Sequence, residues 1–368
     1  MRTAVVILNW NTKEYLEQFL PALLASASGG AEIIVADSAS TDGSMEMLSE
    51  KFPSVRQIRL KNNYGFTGGY NRAFKTVCEL PEAADLEYFV LINSDIEVKE
   101  GWLEPLVAWM DSHPDCAACA PKLHSWFEKD RFEYAGAAGG MLDRFGYPFC
   151  RGRVMKRVEK DEGQYDSPAE VFWATGACLL VRKEDFERTG GLDDRFFAHM
   201  EEIDLCWRFH LEGRSVCVVP ESVVWHLGGG TLPNDSPWKL KLNYRNNLLM
   251  LQNNLARTYS LQAIRELTPD KAAERACSRA AATIFIRQCL DGCSALVYLL
   301  TGHKEKFKAV KDAHREFREL GKKPELRDIQ EYASTHRRIA VPKLFPEWIV
   351  LLAMTKGKGI FEYLRKFS

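Results

Sequence analysis

The sequence predicts an α/β fold, a mostly parallel sheet flanked by helices, followed by an α-helical C-terminal extension. Three observations carry this reading. Short apolar runs alternate with helical patterns over the first hundred residues, and a polar cluster follows each of those runs. Past about residue 255, glycines become scarce and long Lys/Arg-rich helical segments take over. Strands alternating with helices through connections of about 2–6 residues imply parallel strands joined by crossover helices.

Residues 4–8 read as the first strand, followed by a helix whose apolar face is Tyr15, Leu16, Phe19, Leu20, Leu23 and Leu24. Residues 33–36 form a second strand and 44–52 a second helix. A third strand covers 56–60, a third helix 70–78 and a fourth strand 88–92. Between about 102 and 170 the pattern loosens. An apolar strand returns at 171–181, a helix at 201–212, and strand-like runs at 216–219 and 223–226. The expected division is a catalytic-type domain over 1–255 and a helical extension over 256–368.

Composition narrows the class. The 368 residues are 46% apolar, enough for a real core and too long for one average domain. No uncharged apolar run reaches 18 residues and no leader pattern opens the chain, so a cytoplasmic protein is expected. The net charge of -1 offers no electrostatic footprint for nucleic acid. That average hides a split: residues 303–368 carry a net +7 and residues 1–302 a net -8. The ten cysteines lack regular spacing. Cys116 and Cys119 form a lone pair, so ordinary thiols are expected rather than zinc or a disulfide framework.

In parallel α/β sheets, ligands bind beyond the carboxyl ends of the strands. The polar clusters sit there: Asn9-Trp10-Asn11, residues 37–44, residues 62–69, and Asn93-Ser94-Asp95. Each alone could be a turn; four on one edge point to a ligand-binding edge. Asp95 ends a buried strand, where a carboxylate suits a hard divalent cation shared with phosphates, although it could equally cap the next helix. Glu201, Glu202 and Asp204 crowd the first turn of a helix. The helix dipole and an i,i+4 pair with Arg208 account for Asp204 but less well for the two glutamates. His226, ahead of Gly228-Gly229-Gly230, reads either as a core histidine or as a metal ligand on a glycine hinge.

Together the segments 5–11, 37–44, 63–71, 91–95, 174–182, 190–197, 201–208 and 224–230 resemble, in order, the nucleotide-sugar-dependent glycosyltransferases of family 2. The likeness is to the bacterial rhamnosyltransferase-like branch with the GT-A fold, Rossmann-like and nucleotide-binding, and spans roughly residues 4–250. The resemblance implies that Asn9, Asn11, Asp37, Asn63, Gly65, Asn71 and Ser94 cradle the nucleotide, Asp37 meeting its base. It implies Asp95 as ligand to Mg²⁺ or Mn²⁺ on the donor phosphates, with His226 as a second ligand. It also implies that the carboxylate pair Glu201-Glu202 supplies the base, Glu202 first and Glu201 as its rival. Two positions depart from the pattern: Asn93 stands where the metal motif often has Asp, and Glu202 replaces Asp.

The implied activity is inverting transfer of rhamnose or a similar hexose from a dTDP- or UDP-sugar to a hydroxyl of a glycan or lipid-linked acceptor. Asn93 and Glu202 motivate an alternative, a catalytically impaired nucleotide-binding scaffold of the same fold. A dehydrogenase is disfavoured because Asn11-Thr12-Lys13 stands where a G-x-G-x-x-G would open the first helix. The tail has two readings. Residues 284–301 are apolar but contain Arg287 and Asp291, so burial against a neighbour is expected rather than a bilayer crossing. Residues 344–368 mix Trp348, Phe361 and Tyr363 with Lys356, Lys358, Arg365 and Lys366. That composition suits either a docked bundle or peripheral contact with an anionic membrane, on the cytoplasmic face of the inner membrane.

Overall fold

The computed structural model describes residues 1–27, 30–228 and 236–367. Its first half runs β1 (Thr3–Asn9), α1 (Lys13–Ala25), β2 (Ala31–Asp37), α2 (Ser44–Lys51), β3 (Arg56–Arg59), α3 (Gly65–Cys78), β4 (Tyr88–Ile92), β5 (Ile96–Val98), α4 (Leu103–Ser112) and β6 (Cys116–Ser125). Four short strands follow: β7 (Gly140–Leu142), β8 (Pro148–Cys150), β9 (Arg153–Val154) and β10 (Arg157–Val158). Then come β11 (Ala169–Glu170), β12 (Cys178–Arg182), α5 (Lys183–Arg188), α6 (Glu201–Leu211) and β13 (Ser215–His226). The remainder is helical: α7 (Pro237–Ala263), α8 (Pro269–Leu300), α9 (Lys304–Leu320), α10 (Leu326–Thr335), α11 (Ile349–Lys356) and α12 (Ile360–Leu364).

The main sheet has the order β11-β13-β6-β12-β4-β1-β2-β3, with β5 paired to β13. Strands β3, β2, β1 and β4 are parallel, β12 is antiparallel to both β4 and β6, and β13 runs parallel to β6. Both faces are covered, which is why these strands read as continuous apolar runs instead of alternating ones. Ala4 and Val6 pack with Tyr70, Phe74 and Trp207 on one side. Val5 and Ile7 pack with Leu16, Leu20, Leu48 and Leu106 on the other.

Helix α3 begins at Gly65, five residues earlier than predicted, so residues 65–69 form its first turns and not a strand-end loop. Small residues are needed there: a side-chain carbon on Gly69 would come within 2.6 Å of Leu8. The apolar run at 171–181 yields strand only over 178–182. The two runs at 216–219 and 223–226 form a single strand with a register shift between Val219 and Val223. The loosely patterned stretch holds a second, antiparallel sheet of order β10-β9-β8-β7. Cys116 and Cys119 are buried in β6, and all ten cysteines are free thiols.

The residue-255 composition change falls inside α7, a helix that starts at Pro237 and packs on α6, with Trp207 Nε1 donating to Thr258 Oγ1 at 2.9 Å. The tail folds back on the small sheet, where Phe149 and Val154 pack with Phe345, Ile349, Leu352 and Ile360. Gly229, Gly230 and the side chain of Lys358 lie outside the described residues.

Helix α8 departs from the expected burial of residues 284–301. Within that stretch both charged residues face inward, and most of the large apolar residues face outward. Arg287 and Asp291 are buried and paired at 2.8 Å, Arg287 also donates to Phe145 O at 3.0 Å, and His314 lies 3.3 Å from Asp291. Phe285, Ile286, Leu296, Val297, Leu299 and Leu300 are exposed. The interior between α7, α8 and α9 is polar enough to hold a charge pair, so hydropathy does not mark the inner face. Removing one member of a buried pair strands the other charge. Arg287→Ala is therefore expected to destabilise the protein by about 3–5 kcal/mol, read as a drop in urea midpoint with an unchanged slope.

Candidate active site

The parallel register places the ends of β1, β2, β3 and β4 along one edge: Asn9 pairs with Asp37, Asp37 with Arg59, and Ile7 with Ile92. The end of β13 reaches the same edge because β5 pairs antiparallel to it, His226 lying opposite Ile96. The backbone N–H of Leu227 donates to Asp95 O at 3.1 Å. Asp95 and His226, 131 positions apart, are thus neighbours by strand register alone. They open into a cleft of about 1570 Å³ lined by Asn63, Gly65, Ser94, Asp95, Glu201, Glu202 and His226. A single ligand pocket measures about 300–1,000 Å³, so this one has room for two substrates.

Asp95 and His226 are both buried, with Oδ1 and Nε2 3.2 Å apart. On the far side of the ring, Nδ1 faces Glu133 Oε1 at 3.5 Å, and Glu133 is buried as well. Burial works against a charged imidazole, but the hydrogen bonds and charges of Asp95 and Glu133 outweigh it and raise His226 to about 10. The chemistry of this set fits a divalent cation: one hard oxygen and one imidazole nitrogen point at a common space, and a carboxylate backs the other ring nitrogen. Among the described residues, no group of three or more His, Cys, Asp or Glu is arranged to hold a metal by itself. Two protein ligands leave the rest of an ion's shell to water or to a substrate's phosphates.

Glu201 and Glu202 begin α6, immediately after a turn in which Phe197, His199 and Met200 all take positive φ. Non-glycine residues held this way persist only when their surroundings force them. Here α7 does so: Asn246 Nδ2 donates to the carbonyls of Phe196, Ala198 and His199, and Arg245 Nη2 to those of Arg195 and Phe196. Burial, then the charge of Glu202, drives the Glu201 carboxyl well above the usual range. Burial raises Glu202 to about 7 against the opposing hydrogen bonds of the helix start. In both, Oε2 has no hydrogen-bond partner. Both carboxyls are thus pushed toward their protonated forms, and Glu202, near 7, exchanges its proton around neutral pH. Asp204, by contrast, is spent on Arg208 at 2.8 Å and on Asn253 and Asn254.

The other residues expected at the nucleotide sit differently. Asn9 is fully buried, donating to Asp37 at 2.7 Å and Ser40 at 3.1 Å and accepting from Thr12. Asp37 also accepts from the Ser40 N–H. Asn11, at φ 54, accepts from Thr41 N–H. Asn63 accepts from Gly65 N–H. Asn71 is turned away from the cleft and spends both ends on residues 192–194. Asn9, Asn11, Asp37 and Asn71 do not line the cleft; their neighbours Trp10, Thr12 and Ser38 do.

A model of the family described as Glycosyl transferase family 2 matches residues 4–190. N-acetylglucosaminyl-diphospho-decaprenol L-rhamnosyltransferase of Mycobacterium tuberculosis is 26% identical over 258 residues, 67% of this chain and 83% of that protein. Rhamnosyltransferase WbbL of Escherichia coli is 29% identical over 159 residues, 43% of this chain and 58% of its own. Among solved structures, GalNAc-T7 with UDP, GalNAc and Mn²⁺ superposes with a TM-score of 0.50 at 17% identity, covering 72% of this chain; the chain spans about half of that one. The fold is GT-A. The chain belongs to glycosyl transferase family 2, in its rhamnosyltransferase-like branch, and is a glycosyltransferase.

Sequence reasoning missed Glu133 and the cleft-lining Lys156, Arg157, Lys239 and Phe361. Glu133 lies beside a glycine-rich stretch without periodicity, and nothing local marks it. Gly65 lines the cleft and is also fixed by its backbone. It has φ 71, and a side-chain carbon would approach the ring and carbonyl of Phe197 to 2.5 Å. Gly65→Ala is expected to cost at least ~2 kcal/mol, measured by urea denaturation, and to loosen the turn that carries Glu201 and Glu202.

Proposed function

We propose that the chain is an inverting transferase that moves rhamnose or a similar hexose from a dTDP- or UDP-sugar to a hydroxyl of a glycan or lipid-linked glycan acceptor. The observation that supports the reading is one cleft lined both by the Asp95–His226 pair and by Glu201 and Glu202. Asp95 and His226 stand at one place for a cation, and Glu202, raised to about 7, stands at another as a base. The name of the mycobacterial relative, with its diphospho-decaprenol acceptor, supports a lipid-linked acceptor. The cations Lys156 and Arg157 on the cleft wall suit a diphosphate-bearing one.

Asp95 and His226 would hold Mg²⁺ or Mn²⁺, with Glu133 orienting the His226 ring. Bound there, the ion supplies Lewis-acid neutralisation of the charge on the departing nucleoside diphosphate. Asn93, lying 3.4 Å from His226 Nε2, brings a neutral amide where a second carboxylate would add charge. Glu202 accepts the proton of the acceptor hydroxyl as that oxygen attacks the anomeric carbon from the face opposite the leaving group. Glu201, its carboxyl also pushed up by burial and by the charge of Glu202, stands beside it. A single displacement needs no enzyme nucleophile. Asn9, Asp37 and Ser40 act by holding the edge rigid under the nucleotide. The enzyme would work in the cytoplasm, with residues 344–368 touching an anionic membrane.

Glu202→Gln is expected to lower transfer at least ~100-fold while nucleotide binding, followed by calorimetry, stays near that of the unaltered protein. In the latter, kcat/KM should rise with pH through about 7, because the base must lose its proton. Stability should move the other way. The folded carboxyl keeps a proton that the unfolded chain releases above 4.5, so stability falls as pH rises from 4.5 to about 7 and stays reduced above. Glu202→Gln should therefore raise the thermal midpoint at pH 8, by up to about 3 kcal/mol in stability. Near-normal turnover in this variant would reject Glu202 as base.

Asp95→Ala should weaken Mn²⁺ and donor binding together, and Glu133→Ala should weaken Mn²⁺ about 10- to 100-fold, both by titration calorimetry. Metal-dependent donor affinity that is unchanged in Asp95→Ala would count against the cation site. Thermal stabilisation by a panel of nucleotide sugars with Mn²⁺ would identify the donor.

A further inference from the structure

Helix α8 is inverted relative to a soluble helix, and that inversion points to a partner. From residue 281 to 300 its exposed positions carry no charge: Phe285, Ile286, Cys289, Leu296, Val297 and Leu300 form one stripe, with Phe285 66% and Leu300 77% exposed. At 1.5 Å per residue the stripe from Phe285 to Leu300 is about 23 Å long, beyond the scattered apolar residues that an ordinary surface shows. Among the described residues α8 is the one helix long and apolar enough to cross a bilayer, yet only 22% of its most apolar window is buried. It does not cross. Arg287 and Asp291 fasten its inner face to Phe145, Asn247 and His314, so only one face is free.

The ends of the stripe select its occupant. Exposed Lys271, Arg275 and Arg279, with Asp270 and Glu274 among them, precede it; exposed Lys304, Lys308 and Lys311, with Glu305, follow it. Both ends are net cationic. A second copy packed on this face, parallel or antiparallel, would bring cation against cation. An anionic bilayer surface meets both ends favourably while accepting the apolar stripe. The 143–147 turn under Arg287 also touches Trp348, which leads into α11, whose Leu351 and Met354 are exposed. A second, smaller apolar patch thus adjoins the same turn.

We propose that the outer face of α8 is a membrane-docking surface that lies in the interface of an anionic bilayer, with Arg275, Arg279, Lys304 and Lys308 at the headgroups. None of these residues belongs to the cleft, so the proposal stands apart from the sugar-transfer reading. The test is flotation of the full-length protein with vesicles of phosphatidylcholine alone or with phosphatidylglycerol, beside sedimentation velocity without lipid. The protein should float with the anionic vesicles and sediment as a monomer. Phe285→Ser/Leu296→Ser/Leu300→Ser should lower the floated fraction about tenfold or more. Lys304→Gln/Lys308→Gln should lower it several-fold, with added salt doing the same. The Mn²⁺-dependent thermal shift with UDP checks that each variant is folded. Undiminished flotation of the triple variant, no flotation of the unaltered protein, or a dimer that the triple variant dissolves would each overturn the proposal. If Leu351→Ser/Met354→Ser alone abolished flotation, the surface would belong to the tail and not to α8.

Discussion

The strained turn between Phe196 and Glu201 depends on α7, and much of the site depends on that turn. A buried carbonyl without a donor is costly, and this turn presents several in succession. Asn246 and Arg245 satisfy them from one helix face. The same turn closes on Gly65, with Phe197 O accepting from Thr67 N–H, so the start of α3, the start of α6 and the middle of α7 are mutually fixed. Glu201 and Glu202 inherit their burial from this arrangement, and their raised carboxyls follow from burial. The helices after the sheet thus help to build the cleft.

A second constraint is register. Asp95 and His226 meet because β13 is long enough to pair with β6 and, beyond its irregularity, with β5. The irregularity between Val219 and Val223 lets one strand serve both partners. Glu133 arrives separately, through its N–H to Leu123 O on β6. Three distant segments therefore converge on one imidazole, and none carries a local mark of that convergence.

The charge split visible in the sequence takes a more specific form in the folded protein. The basic C-terminal segment does not hang free. Its last helices pack on the small sheet and contribute Phe361 to the cleft wall. Cations reach the cleft from the catalytic body itself, at Lys156 and Arg157 on the β9–β10 hairpin and at Lys239 on α7. An overall acidic body is compatible with a locally cationic cleft wall because charge acts over about a Debye length and not over a domain average.

The sequence by itself determined the order of elements in the parallel half, the edge at which chemistry gathers, and the family. Each rests on local information: strands buried on both faces must be continuously apolar, and strand ends must carry turn formers and ligands. Tertiary structure decided what depends on distant partners. Residues 65–69 became the start of a helix, and Phe197 and Leu8 leave no room for a side chain at Gly65 and Gly69 within it. Residues 140–158 became a second sheet whose strands, at two or three residues each, are too short to show a period. Asn9 and Asn71 bond to Asp37 and to residues 192–194, partners that no local sequence pattern announces. Helix α8 turned its charges inward because α7, α9 and the 143–147 turn supply partners for them. Hydropathy measures what a side chain prefers against water, and it does not register that a neighbour will satisfy a charge.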